Sequence, residues 1–209
     1  MHPMEFQYML LSLIDYTKFI DIISLIMVGV IGGVYGIMKF VKSRIKIDNF
    51  IAIHTEIHEL LTELRITTKS LRATVLQFHN GDYTMDGISM RKFSVTHEST
   101  HKGFTSQVVK LKASLCSMFI PLLVHVIDNK SLIYPTRALQ ESYVKGFFED
   151  ESIVNYACLP IKNKGTNVGF VLLQWDEGYT PAIEEQEILM KHFKSIKESI
   201  EIQLSHQKN

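Results

Sequence analysis

The chain has 209 residues with 22 acidic and 22 basic side chains, so its formal net charge is zero. That length holds one domain of ordinary size plus an appendage, and the charge balance gives no long-range pull on DNA or RNA, so nucleic acid is excluded as a partner. Only Cys116 and Cys158 are present, in a spacing that fits neither a disulfide framework nor a zinc knuckle, as expected of free thiols in a reducing compartment.

After a short tail (1–18) the first element is apolar. Residues 22–38 form a run of 17 without a charged side chain, extended by Phe19, Ile20, Phe40 and Val41. A transmembrane helix over 19–41 is expected, at the short end of what crosses a bilayer core. A run apolar on every face does not suit a helix buried along one stripe. A cleaved signal peptide does not fit either, because the basic cluster follows the run and no small-residue cleavage site is present. Lys39, Lys42, Arg44 and Lys46 lie on the C-terminal side, against Lys18 among Glu5, Asp15 and Asp21 on the other. The positive-inside rule then places a single-pass protein in an inner or cytoplasmic membrane with its large C-terminal domain in the cytoplasm. Gly29 and Gly33, and Gly32 and Gly36, stand four apart, a spacing that lets membrane helices approach closely, although glycine is common in such helices anyway.

Residues 42–71 read as a basic juxtamembrane stretch running into a heptad helix. Phe50, Ile53, Ile57, Leu60, Leu64, Thr67 and Leu71 recur at intervals of three and four, a coiled-coil seam. Ile51, Leu61 and Ile66 lie off it, so packing on the chain's own domain is the alternative, and both can hold in different halves. With the glycines, this pattern gives a homodimer or higher homo-oligomer as the expected assembly.

From residue 72 onward the period changes. Thr74, Leu76 and Phe78 alternate with Val75, Gln77 and His79, and Asn80-Gly81-Asp82 ends the run as a turn. A second strand is expected over 92–97. A helix follows over 106–127, broken at Pro121, then a strand over 131–134 and a small helix over 139–147. Strands at 153–161 and 168–175 are joined by the polar, glycine-bearing loop 162–167. The last helix opens with Thr180 as N-cap and Pro181 in its first turn, carries Glu184, Glu185 and Glu187 near its start, and buries Leu189, Phe193, Ile196, Ile200 and Leu204. This order gives an α+β domain over 72–209, an antiparallel sheet with helices gathered on one face.

Two stretches carry a resemblance. Ala157-Cys158-Leu159-Pro160-Ile161, the polar turn, and Val168-Gly169-Phe170-Val171-Leu172-Leu173 resemble the penultimate strand pair of GAF domains, relatives of PAS domains, over 48–203. Phe78-His79-Asn80-Gly81 with Ser94-Val95-Thr96-His97-Glu98 resembles membrane-tethered GAF-like proteins of tailed phages. The resemblance implies a sensory or docking domain whose ligand, where there is one, lies between the sheet and the loops above it. Phe78, His79, Asn80, His97 and Glu98 would line that pocket; alternatively His79 and Asn80 serve the turn through local hydrogen bonds. No bilin-type cysteine and no cyclic-nucleotide signature is found, and no cofactor is required by the sequence. A small molecule or a protein is the expected ligand.

His97-Glu98-Ser99-Thr100-His101 matches the H-E-x-x-H zinc-protease motif, whose chemistry needs both histidines on one helical face. Here the flanking residues alternate as a strand and Gly103 follows, so no catalytic residue and no metal ligand is assigned and the chain is expected not to be an enzyme. The layout of one N-terminal membrane helix and one α/β domain, with 154–160 and the run into Gln174-Trp175, is also similar to the holins of T-even phages. In that family a periplasmic domain would time lysis; the basic flank, which here follows the membrane helix, points the other way.

Overall fold

The computed structural model describes residues 3–206 apart from 82, 84, 88, 129, 131 and 178–180, with backbone alone for 3–23, 26, 42–46, 183 and 184. The chain divides into two units, Met1–Phe50 and Ile51–Asn209. The first helix, α1 (Pro3–Thr67), supplies all the regular structure of the first unit and the opening helix of the second.

In the first unit the side chains of Leu25, Met27, Val28, Val30, Ile31, Val34, Tyr35, Ile37, Met38, Phe40 and Val41 are all exposed. Part of the expected membrane segment, 19–23 and 26, lies outside the residues whose side chains are described. Among the described residues no helix is long and apolar enough to cross a membrane. A Cβ added at Gly29, Gly32, Gly33 or Gly36 would meet nothing within 4 Å, so among the described residues no contact requires glycine there.

The second unit is built on a six-stranded antiparallel sheet: β1 (Arg72–His79), β2 (Lys92–Thr100), β3 (Ser114–Leu115), β4 (Tyr134–Pro135), β5 (Asn155–Asn163) and β6 (Thr166–Trp175), in the spatial order β3-β2-β1-β6-β5-β4. The helices are α2 (Ile120–Asp128), α3 (Tyr143–Asp150) and α4 (Ile183–His206). They do not gather on one face, as the element order suggested. One face carries Ala73, Val75, Leu159, Val171 and Leu173 against Ile57, Leu61 and Leu64 of α1 and the expected stripe of α4. The other carries Leu76, Phe93, Phe170 and Leu172 against α2 and α3. The central strands bury both alternating sets of side chains, so two apolar faces need two covers.

The second half of the heptad pattern has the same explanation. Ile57 and Leu64 of the seam are fully buried in the chain's own core, together with off-seam Leu61, and Ile53 and Leu60 pack beside them. Phe50 is exposed, and Leu71 lies beyond the helix, buried on the opposite face. Lys69, at a φ of 50°, ends the helical path.

Several boundaries move. The helix expected over 106–127 shrinks to α2, with a 3-10 turn at Cys116–Phe119 before it; Pro121 falls in its first turn, where a missing N–H costs nothing. Only Tyr134 and Pro135 form the fourth strand, and Ser131 lies outside the described residues. Helix α3 starts later, capped by Ser142, whose hydroxyl accepts from the Lys145 N–H. The six-residue hairpin loop contracts to Lys164 and Gly165, both with positive φ (50° and 81°), the geometry of a type I′ turn. Thr180 lies outside the described residues; α4 begins at Ile183, and the Ala182 carbonyl accepts the first helical N–H groups. Gly169 is required by contact: a Cβ there would sit 2.2 Å from the Leu76 carbonyl oxygen.

Candidate functional site

The five residues expected to line one pocket are distributed over both faces of the sheet and its end. Strand β2 explains the separation. Its pairing with β1 carries a bulge, after which His97 lies opposite Val75 and Glu98 opposite Thr74. Successive side chains point to opposite faces, so His97 turns toward α1 and Glu98 toward the other side.

His97 is buried and meets two histidines of α1 one helical turn apart. Its Nε2 lies 2.6 Å from His54 Nδ1, the two rings stack at 4.7 Å, and His58 packs edge-on at 5.1 Å. The tautomer follows from the neighbours. Thr96 Oγ1 donates to the Val75 carbonyl and therefore accepts from His97 Nδ1 at 3.0 Å. That leaves His97 Nε2 as the acceptor for the His54 Nδ1–H. Burial, then the nearby His54 and His58, pull the His97 pKa down to about 4. One turn on, Ser99 bonds Thr62 and Arg65 of α1, so β2 and α1 are joined by a polar seam.

Glu98 belongs to a different network. Its carboxylate lies 3.2 Å from Nε of the fully buried Arg72 and accepts from the Gln107 N–H and the Ser106 hydroxyl. Arg72 also donates to Gln174 at 2.9 Å and to the Thr105 carbonyl at 2.7 Å, and pairs with Glu151. Burial pushes the Glu151 carboxyl up, but hydrogen bonds from Lys110 and Gln107 and the charges of Lys110 and Arg72 outweigh it and hold it low. This network ties β1, β2, β6, the 104–111 loop and the end of α3. It is structural.

Strand geometry also settles the protease-like motif. His97 and His101 are separated by four residues of largely extended chain, about 13 Å at 3.3 Å per residue, and His101 is exposed past the strand end. Among the described residues no group of three or more His, Cys, Asp or Glu side chains is placed to hold a metal ion. His54, His58 and His97 meet pairwise instead.

Phe78, His79 and Asn80 sit where β1 ends. Phe78 is half-buried against Phe170, with ring centroids 5.8 Å apart. His79 uses both nitrogens locally: Nδ1 donates to the Asn80 carbonyl at 3.2 Å, and Nε2 accepts from the Ser94 hydroxyl at 2.9 Å. Ser94 accepts in turn from the Ala113 N–H. Gly81 lets the turn close, since a Cβ there would fall 1.7 Å from the Met90 carbonyl oxygen. His79 thus bonds locally at the turn, and Asn80 takes part through its backbone carbonyl.

The same turn forms one wall of a cleft of about 420 Å³, within the range of small-molecule sites. Gln77, Phe78 and His79 come from β1, Arg91, Ser94 and Thr96 from β2 and the residue before it, Lys162, Asn163 and Asn167 from the β5–β6 hairpin, and Glu201, Leu204 and Ser205 from α4. Sequence reasoning reached Phe78 and His79 but missed the hairpin and α4, because only the fold brings them beside β1. The layer between the sheet and α2/α3 is filled by packed side chains. Phe93 packs edge-on against Phe119 at 4.9 Å and Phe170 at 5.7 Å, with Phe148, Tyr156 and Cys158 in the same core. Two more open depressions, of about 520 and 550 Å³, share Glu149, Ile153, Val154 and Glu177 at the opposite end of β5.

No family model matches the sequence, and no curated protein matches it. Solved structures do. The cyanobacteriochrome receptor PixJ is 13% identical with a TM-score of 0.53, over 75% of this chain and 97% of that chain. The photoproduct state of GAF3 from Slr1393 of Synechocystis sp. PCC6803 is 10% identical with a TM-score of 0.55, over 75% of this chain and 95% of that one. The GAF domain/HD domain protein of Geobacter sulfurreducens gives 12% and 0.53, over 75% and 94%. At these identities the likeness concerns architecture, and the chain carries a GAF fold.

Proposed function

We propose that this protein is a membrane-anchored sensory module of GAF fold, without catalytic activity of its own, that binds a small ligand in the cleft at the end of its sheet. The cleft carries the reading: four separate segments bring hydrogen-bonding side chains to one concave site, while the sheet's other face is closed by packed aromatic rings. A bilin is not the ligand proposed, although one similar structure is a phycocyanobilin-bound GAF domain. Here Cys158 is fully buried and burial pushes its thiol far up, and Cys116 is not among the residues lining the cleft, so neither offers an attachment point there.

Anchoring rests on the uncharged run 22–38 and on the exposed apolar side chains from Leu25 to Val41 that the chain does not cover. The basic residues Lys39, Lys42, Arg44 and Lys46 favour a cytoplasmic domain. Pairing of two chains through Gly29, Gly32, Gly33 and Gly36 belongs to the same reading. The test is thermal unfolding of the full chain in lipid nanodiscs against a panel of anionic, cationic and neutral metabolite-sized compounds. At least one compound is expected to raise the Tm, and Asn167→Trp, which fills the cleft from an exposed hairpin position, is expected to abolish that rise. A panel without any hit, or a hit indifferent to Asn167→Trp, contradicts the proposal.

A further inference from the structure

Resting on that receptor reading, we infer that the cleft selects an oxyanion, a phosphate or carboxylate group, held between Arg91 and Lys162 from opposite walls. Two full cations line the cleft, against a single acid, Glu201. That acid is already engaged: one carboxylate oxygen accepts the Lys162 N–H at 2.6 Å, and the other lies 3.1 Å from Lys197 Nζ. Its charge is offset by Lys197 and its oxygens are committed, so the surplus in the cleft is positive. Among the described residues no acidic side chain pairs with Arg91 or with the Lys162 ammonium.

The uncharged polar lining includes free N–H donors. Gln77, Asn163 and Asn167 present amides, whereas the Ser94 and Thr96 hydroxyls and both His79 nitrogens are committed within the protein. Ile161, Val168 and Leu204 supply apolar surface for the rest of the ligand. A guanidinium fork and an ammonium lining one cleft suit a group with several acceptor oxygens and disfavour a cation. The other two depressions differ in sign: Glu149 and Glu177 line both, with Arg137 in only one.

The experiment titrates inorganic phosphate, malonate and choline into the full chain in phosphatidylcholine nanodiscs, following the Tm and the Lys162 amide resonance. A second series replaces part of the lipid with phosphatidic acid. Phosphate or malonate is expected to shift both signals and choline neither. Arg91→Gln and Lys162→Gln, both exposed positions, are expected to weaken binding about ten- to hundredfold each, while Arg137→Gln leaves it unchanged. A shift of the Lys162 resonance seen only with phosphatidic acid identifies a lipid headgroup as the source of the same oxyanion. Absence of any anion effect in both lipids, equal binding of choline, or indifference to both substitutions overturns the inference. If a neutral panel compound binds and Asn167→Trp abolishes it while anions have no effect, the receptor reading stands and this selectivity fails.

Discussion

Lowering the pH should loosen the polar seam between α1 and β2, and His97 sets the size of the effect. Its ring is buried, its Nδ1–H is committed to Thr96, and its Nε2 accepts from His54 at 2.6 Å. A proton on Nε2 would face the His54 N–H, with His58 adding a second imidazole on the same side. No carboxylate is among the groups that shift His97; burial, His54 and His58 all lower it. The folded-state value of about 4 lies below the ordinary 6.5 of an unfolded histidine, so the unfolded chain binds more protons between those values. Stability from this group is therefore complete above pH 6.5 and is lost as pH falls toward 4. Linkage gives a loss of about 2 kcal/mol by pH 5 and about 3 kcal/mol by pH 4. For a chain of this size about 2 kcal/mol is roughly 4–8 °C in Tm. The assay compares thermal unfolding of the wild type and His97→Gln at pH 7.5 and pH 5. Any constant cost of the substitution cancels in the difference between the two pH values. The wild type should lose about 4–8 °C more than the variant. Equal losses in both proteins, or a ¹³C-histidine titration placing His97 above pH 6, would refute the reasoning.

Other expectations follow from particular contacts. Arg72→Met should cost about 3–5 kcal/mol, because it leaves the nearly buried Glu98 without its countercharge and Glu151 with Lys110 alone; Lys110→Met, exposed on the same network, should cost under about 1 kcal/mol. Chemical denaturation of each variant checks this pair. Gly169→Ala should destabilise by about 1–3 kcal/mol, since its Cβ would press on the Leu76 carbonyl. Gly146→Ala, in α3 with open space around it, should instead be neutral or stabilising by up to about 1 kcal/mol. Alkylation at pH 8 should label half-exposed Cys116 and spare Cys158 until the protein unfolds; rapid native labelling of Cys158 would contradict the packed core.

The sequence made most of the α+β architecture legible where one physical signal dominated. The α4 stripe of Leu189, Phe193, Ile196, Ile200 and Leu204 is buried as its 3.6-residue period requires, and Gly165 marks the hairpin turn. Elsewhere a local pattern has two physical causes. Ile57 and Leu64 repeat at coiled-coil spacing, and the sheet beneath α1 imposes that spacing too, the alternative that off-seam Leu61 keeps open. The apolar run around Pro121 reads as a longer helix than α2, because proline in a first turn and proline in a helix interior look alike in one dimension. His97 and Glu98 are adjacent in sequence and read as one pocket, but a strand sends them to opposite faces. The cleft was only half visible, since Arg91, Lys162 and Glu201 meet through pairing and packing that no local period encodes.

Membrane anchoring with a cytoplasmic sensory domain is the central claim, and its direct test is topology. A Gln207→Cys, Cys116→Ser variant, in which buried Cys158 is the other thiol, is expressed in bacteria, fractionated, and treated with a membrane-impermeant maleimide. The protein is expected in the membrane fraction, and its label is expected only after the cells are permeabilised. Recovery of the protein from the soluble fraction, or labelling in intact spheroplasts, would contradict the account.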